Sequence, residues 1–375
     1  IHAIDRIWQN IVSKKLYLTG GIGALHWGEA FGSNYELPNL TAYNETCAAI
    51  GNIYVNYRLF LLHGDSKYFD VLERTLYNGL LSGVSLQGNH FFYSNPLEAD
   101  GKFKFNADNT QERQSWFGCA CCPSNLCRFI PSVPGYVYAV RDKDVYVNLF
   151  MNNDSELKVK GKKLNIRQTT HYPFEGGVRL EINPGSKQQM ALKIRIPGWV
   201  RGEVVPSDLY VFADKVQTGY TVKLNGELME SNLEKGYFTI DRTWKKGDVV
   251  EIDFSMQPRI VKAHDKVEAD CGRIAVERGP LVYCAESADN RFDIQSIMLP
   301  AYPQFETLDR PDLLNGIKQL ETQGQSLSYD KDGRLLIRDV ALTLIPYYAW
   351  NHRGIGKMMV WLPQTVNATK PVLDK

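Results

Sequence analysis

Near Asp142 the hydrophobic period of this chain changes, and no other feature limits its fold as strongly. Upstream, apolar residues recur at helical steps: Ile1, Ile4, Ile7, Trp8, Ile11 and Val12, then Ile50, Ile53, Tyr54, Tyr57 and Leu61, then Phe69, Leu72, Leu76 and Leu80. Downstream they alternate in steps of two, through Val145–Phe150, Leu157–Val159, Leu164–Ile166, Val178–Ile182, Leu192–Ile196, Tyr237–Ile240 and Val249–Phe254, with turn residues between the runs. Helical stripes and pleated faces bury themselves in different layers, so the prediction is a multidomain chain, α first and β-sandwich after. We divide it at 1–140, 141–258 and 259–375, the last part being a second β-rich domain after Pro258.

Within the helical part, Thr41 is a plausible N-cap for a helix reaching about His63, which Gly64-Asp65 closes. A third helix spans roughly Lys67 to Leu80, with Glu73 one step off its apolar stripe. Residues 89–98 are aromatic and extended, 100–115 form a polar loop, and Asn125 to Val137 is helical but interrupted by Pro131 and Pro134. In the β part, Asn225-Gly226 marks a tight hairpin.

Lys and Arg number 43 against 42 Asp and Glu, which gives no long-range field to attract nucleic acid or an anionic membrane. No apolar run approaches the roughly 20 residues of a membrane span, so a soluble protein with a small or neutral partner is expected. The first residues read as a helix already under way, as in the interior of a larger protein. Aromatic content of 11% suits a sugar-binding surface and equally an ordinary core.

Chemistry concentrates at Cys119-Ala120-Cys121-Cys122-Pro123, where three of seven cysteines fall within four residues. Adjacent cysteines bridge each other poorly and the other four show no framework, so a metal site or a reactive thiolate is expected rather than a disulfide scaffold. Cys119 with Cys122 and Cys121 with Cys122 are both available pairs. Glu45 and Cys47 lie about 200° apart around a regular helix, so they can share a centre only from an irregular first turn. Glu29, between Trp27 and Phe31, is a candidate general acid, since apolar surroundings raise a carboxyl pKa. The Gly20-Gly21-Ile22-Gly23 turn before it lacks the Gly-Lys-Ser/Thr of a phosphate loop.

Glu45-Thr46-Cys47 followed by Cys121-Cys122-Pro123, together with the glycine turn before Glu29, Glu73–Gly79, Tyr93-Ser94-Asn95-Pro96-Leu97, Leu192–Trp199 and Glu277–Tyr283, resembles the retaining β-L-arabinofuranosidases of glycoside hydrolase family 127 and the related family 146. The resemblance runs nearly the length of the chain. It implies the later half of an (α/α)6 barrel, without its N-terminal part, followed by β-sandwich (jelly-roll-like) domains. It further implies a Zn2+ held by Glu45, Cys47, Cys121 and Cys122, with Cys121 as nucleophile, Glu29 as general acid/base, and Glu73 and Tyr93 around the sugar. The partner would be an arabinofuranoside, and a homodimer is compatible with the reading. Clustered thiols favour a reducing cytoplasm, although zinc would protect them in a periplasm. Two alternatives stand beside this: a non-catalytic carbohydrate-binding or structural protein whose zinc only pins the fold, and a glycosidase of the same scaffold acting on another sugar.

Overall fold

The structure is a computed structural model, and it describes residues 1–373. Four helices come first: α1 (His2–Lys14), α2 (Thr46–His63), α3 (Lys67–Arg74) and α4 (Cys121–Phe129). Gly64 ends α2 in the left-handed conformation, φ 63°, as a C-terminal glycine should. No helix among the described residues is long and apolar enough to cross a membrane.

Three helical expectations need correction. Helix α2 starts at Thr46, not near Thr41, because Glu45 is extended (φ −60°, ψ 138°) and takes the N-cap position. Its buried face includes Asn52 and Asn56, which a stripe of apolar letters cannot register. Asn56 accepts the indole N–H of Trp8 at 2.8 Å, and Asn52 donates to the Gly20 carbonyl at 3.2 Å. In α1 only Trp8 and Val12 of the predicted stripe are buried, while Ile1, Ile4 and Ile7 are exposed. Finally, the last helix begins at Cys121 itself and passes into a 3-10 segment, Ile130–Tyr136, where its prolines lie.

The period-two region forms two sandwich-like sheets. One has six antiparallel strands in the order Glu227–Leu228, Tyr220–Leu224, Asp248–Phe254, Gly177–Pro184, Lys162–Thr170, Asn153–Val159. The other has four, Tyr237–Trp244, Gln188–Arg195, Asp144–Val147 and Tyr138–Arg141, and its central pair is parallel. Their apolar faces are buried, with Phe150 and Phe254 meeting at 5.2 Å between ring centres. Asn225 and Gly226, both at positive φ, make the expected hairpin turn.

A third, branched sheet takes most of its strands from beyond Pro258. Two strands from upstream join it: Glu98–Asp100 pairs with Lys357–Met359, and Tyr210–Phe212 with Pro258–Ala263. Side chains of α3 reinforce this stitching. Arg74 pairs with buried Glu277 at 2.8 Å and donates to the Val204 carbonyl at 2.7 Å. Asn78, in the π-helical turn Thr75–Leu80 that continues α3, accepts the Val282 amide and donates to the Pro280 carbonyl. The helical part is thereby fixed against both β regions.

Candidate active site

Two helix starts converge on one point. Glu45 caps α2 and Cys47 lies in its first turn, while Cys121 and Cys122 open α4. Because the Glu45 backbone is extended, its side chain escapes the opposing direction that a regular helix would impose. One donor atom from each of the four residues falls within 4.8 Å of all the others. Cys119 is exposed and stands outside this group, which contains the Cys121–Cys122 pair.

The segment 91–95 holds the α2 start in place. Thr46 donates its amide to the Tyr93 carbonyl at 2.9 Å and its hydroxyl to the Phe92 carbonyl at 2.8 Å, and Asn95 donates to the Asn44 carbonyl at 2.9 Å. The same segment delivers Tyr93, whose hydroxyl lies 2.9 Å from the Cys121 sulfur. Phe117 and Tyr43 flank the Tyr93 ring at 5.6 and 6.2 Å.

A tetrahedral cation of zinc's size needs sulfur–sulfur separations of about 3.8 Å and sulfur–oxygen separations of about 3.5 Å, from bond lengths of about 2.3 and 2.0 Å. The Cys121 and Cys122 sulfurs are 3.9 Å apart, and the Glu45 Oε1 lies 3.6 and 3.5 Å from them. These three donors are therefore spaced for such an ion, and Cys47 completes the group within 4.8 Å.

Electrostatics lead to the same conclusion. Burial raises the Glu45 carboxyl above its usual range, and the nearby charge of Glu29 adds to this. Hydrogen bonds from Cys122 and Asn125 lower the Cys47 thiol below its usual range against the opposing effect of burial. Cys122, which holds its proton for Cys47 and is fully buried, is pushed far up, and burial lifts Cys121 to about 12. Four acidic groups this close cannot all be anionic without a cation among them.

Cys121 and Cys47 border a cavity of about 390 Å³, together with Ser124, Asn125 and Arg128. Cys121 is half-buried whereas Cys122 is sealed, so of the α4 pair it is Cys121 whose sulfur a ligand can reach.

Glu29 sits at the tip of a small hairpin closed by two hydrogen bonds between Leu25 and Ala30, 3.1 and 3.2 Å. Its φ of 48° is left-handed, a conformation uncommon for a residue other than glycine. The apolar enclosure expected from sequence is absent: Trp27 is 92% exposed, Phe31 41%, and Glu29 is itself exposed. Instead Tyr43 donates its hydroxyl to Glu29 at 2.9 Å. His26 packs on that tyrosine at 4.9 Å, and burial lowers its pKa.

Glu73 has partners of its own. It is buried, accepts the Tyr172 hydroxyl at 2.7 Å and pairs with Arg195, which also binds Asp70 at 2.8 Å. Its partners come from the four-stranded sheet and the 171–173 turn rather than from the thiol centre, so its carboxylate joins α3 to the sandwich.

Sequence reasoning missed Tyr43 and Asn125. Asn125 was accessible in principle, since it lies four residues after Cys121 and so shares its helix face once α4 is known to start there. Tyr43 carries no such signal.

Comparison with known proteins gives a consistent result. Residues 1–135 match the β-L-arabinofuranosidase GH127 catalytic domain, 144–256 the GH127 middle domain and 258–363 the glycoside hydrolase family 127 C-terminal domain. A non-reducing end β-L-arabinofuranosidase of Bifidobacterium longum subsp. longum is 34% identical over 383 residues, covering 96% of this chain and 55% of the relative. Among solved structures, a GH127 β-arabinofuranosidase superposes with a TM-score of 0.95 at 63% identity, over 99% of this chain and 57% of that one. A GH127 β-L-arabinofuranosidase from Geobacillus stearothermophilus T6 gives 0.86 at 38% identity, over 95% and 55%. The chain thus spans a little over half the length of these relatives.

Proposed function

Because the chain belongs to glycoside hydrolase family 127, we propose that it serves as a zinc-dependent retaining glycosidase releasing β-linked L-arabinofuranose, with Cys121 as nucleophile and Glu29 as general acid/base. On this reading 1–140 is the later part of an (α/α)6 catalytic barrel, 141–258 a β-sandwich domain and 259–375 a second β-rich domain. The observation that carries the proposal is the juxtaposition of a reachable sulfur, Cys121, with three further donors, all four ligand atoms lying within 4.8 Å of one another.

Glu45, Cys47, Cys121 and Cys122 would hold the ion. When bound, zinc keeps a coordinated thiol deprotonated at neutral pH. The Cys121 sulfur then attacks the anomeric carbon while Glu29 gives its proton to the glycosidic oxygen, so a C–S bond forms as the C–O bond breaks and the alcohol departs. In the second half, Glu29 as carboxylate takes a proton from water, the water oxygen bonds the anomeric carbon and the C–S bond breaks. Two displacements retain configuration. Tyr43 orients the Glu29 carboxylate, and the Tyr93 hydroxyl supports the sulfur whenever it carries charge, from a position that would also border the sugar.

A second reading has its own support. Four protein donors usually mark a closed, structural zinc, which would suit a carbohydrate-binding protein without catalysis. A mechanism-based arabinofuranosyl reagent separates the two. Added mass on the Cys121 peptide is expected for the glycosidase, and an unmodified peptide with full metal content would leave the structural reading. A panel of aryl glycosides would establish whether the sugar is arabinofuranose.

A further inference from the structure

Arg113 is buried, and its hydrogen-bond partners among the described residues are backbone carbonyls rather than a carboxylate. Its Nε and Nη2 donate to the Ser82 carbonyl at 3.1 and 2.9 Å, and its Nη1 to the carbonyls of Trp350 and Asn351 at 2.8 and 3.1 Å. The guanidinium lies over the Phe92 ring, 4.2 Å from its centre. A buried cation without a charge partner is costly. The rings of Phe92, Phe105 and Trp350, which meet one another at 5.3 to 5.6 Å, would pack an apolar side chain at this junction equally well. What the guanidinium adds is direction, because its N–H groups form a rigid planar fork that only one arrangement of carbonyls satisfies.

That arrangement joins three parts of the chain. Ser82 lies in the short 3-10 turn after the π-helical segment, Arg113 on the 100–115 loop, and Trp350 and Asn351 in the C-terminal β region. The loop is tied in turn to the segment that carries Tyr93. Gln114 and Phe91 exchange backbone hydrogen bonds at 2.8 and 2.9 Å, and the Tyr93 amide donates to the Asn106 side chain at 2.7 Å. Asn351 adds a bond from its side-chain amide to the Gln111 carbonyl at 3.2 Å. Phe92, beneath the guanidinium, immediately precedes Tyr93, and Phe117, four residues beyond Arg113, packs on the Tyr93 ring.

Thr46 holds the carbonyl of Tyr93, while the loop holds its amide and one face of its ring. A shift of the loop would therefore move the phenol, whose hydroxyl stands 2.9 Å from the Cys121 sulfur. We propose that Arg113 is a positioning residue for that sulfur: by locking the loop and Phe92 to Trp350 and Asn351, it sets where the Tyr93 hydroxyl meets Cys121. The C-terminal β region then serves as the far support of the thiol centre. The contribution to rate rests on the glycosidase reading above, whereas the placement of the hydroxyl does not.

Arg113→Lys keeps the charge and gives up the fork, and Arg113→Met gives up both. On the full chain with an aryl β-L-arabinofuranoside, each should lower kcat about tenfold, as loss of the Tyr93 hydroxyl would, with bound metal unchanged. Combined with Tyr93→Phe, neither should cost more than about a further twofold, because both act through one contact. Losses that multiply in full would make Arg113 a general support of the fold and overturn the proposal. Cobalt(II) loaded in place of zinc gives a second readout, since the energy of its sulfur-to-metal charge-transfer band responds to hydrogen bonds on the sulfur. Tyr93→Phe should move that band to lower energy and Arg113→Lys should reproduce the shift. A band that Arg113→Lys leaves at the wild-type energy rejects the proposal, even where activity falls. Should Arg113→Met fail to fold, the lysine variant decides by itself. Should the wild type hydrolyse no arabinofuranoside, the glycosidase reading fails on its own account, and the band comparison still decides whether Arg113 places the hydroxyl.

Discussion

The hydroxyl of Tyr93 and the sulfur of Cys121 stand 2.9 Å apart although 28 residues separate them in sequence. The same tyrosine accepts the Thr46 amide through its carbonyl, so one residue supports the sulfur and braces the helix start that carries Glu45 and Cys47. Burial raises the Tyr93 phenol well above its usual range, and it remains a hydrogen-bond donor at any working pH.

Tyr93→Phe should therefore lower kcat about tenfold, the value of one hydrogen bond of about 1.4 kcal/mol to a charged sulfur, without changing bound metal. Steady-state kinetics beside elemental analysis checks this. Loss of metal together with activity would assign Tyr93 to the integrity of the centre instead.

Cys121→Ser should reduce turnover by about a thousandfold or more, since the alkoxide needed in place of a thiolate is far less accessible. Glu29→Gln should behave differently. It should slow sugar leaving groups by about 10²–10⁴ and activated aryl leaving groups much less, because only the former need protonation. Rates on matched substrates distinguish the two roles.

Glu45→Ala and Cys122→Ala should each abolish stoichiometric metal binding and lower the melting temperature, because the remaining three donors lose tetrahedral closure. Chelator treatment should lower the wild-type melting temperature and leave both variants unchanged. Elemental analysis and calorimetry report the two effects independently.

Glu73→Ala should destabilise the fold by about 3–5 kcal/mol, as expected when one partner of a buried ion pair is removed and Arg195 is left without it. Metal content of the folded fraction should stay normal. Urea unfolding gives the first quantity and elemental analysis the second, and a stable but inactive variant would return Glu73 to the sugar-binding set.

Asp270 links the helical part to the C-terminal sheet by accepting the Asn39 side-chain amide at 2.8 Å. Burial raises its pKa to about 7, with Glu98 adding to the rise and Asn39 and Arg273 opposing it. A carboxyl raised in the folded state contributes stability that is full below the unfolded pKa, about 3.9, and is lost as pH climbs through about 7. Between pH 5 and 8 the loss should be about 2–3 kcal/mol. Asp270→Asn should flatten this window in urea titrations at the two pH values.

The order of helices and strands could be read from periodicity because each segment buries one face, and Asn225-Gly226 carried its turn type in its own chemistry. Residues whose partners lie far away in sequence could not be read in this way. Glu73 meets Arg195 across 122 positions, and nothing local distinguishes a carboxylate awaiting an arginine from one awaiting a sugar. Glu29 was singled out for neighbouring aromatic letters, yet those rings face solvent and its actual contact is Tyr43. For the thiol centre, spacing left two cysteine pairs open and the family resemblance named the four residues, whereas the device that lets Glu45 and Cys47 converge is a backbone angle at a helix start.

The wall behind that helix start has no spare volume. A methyl group at Gly83 would lie 2.5 Å from the Thr46 hydroxyl, and one at Gly20 would lie 2.6 Å from the Thr75 backbone. A genetic screen would therefore find alleles with every acidic and sulfur-bearing site residue intact that nevertheless fail as the growth temperature rises. Such alleles would map to these glycines, where an added carbon displaces the frame that the ligands stand on.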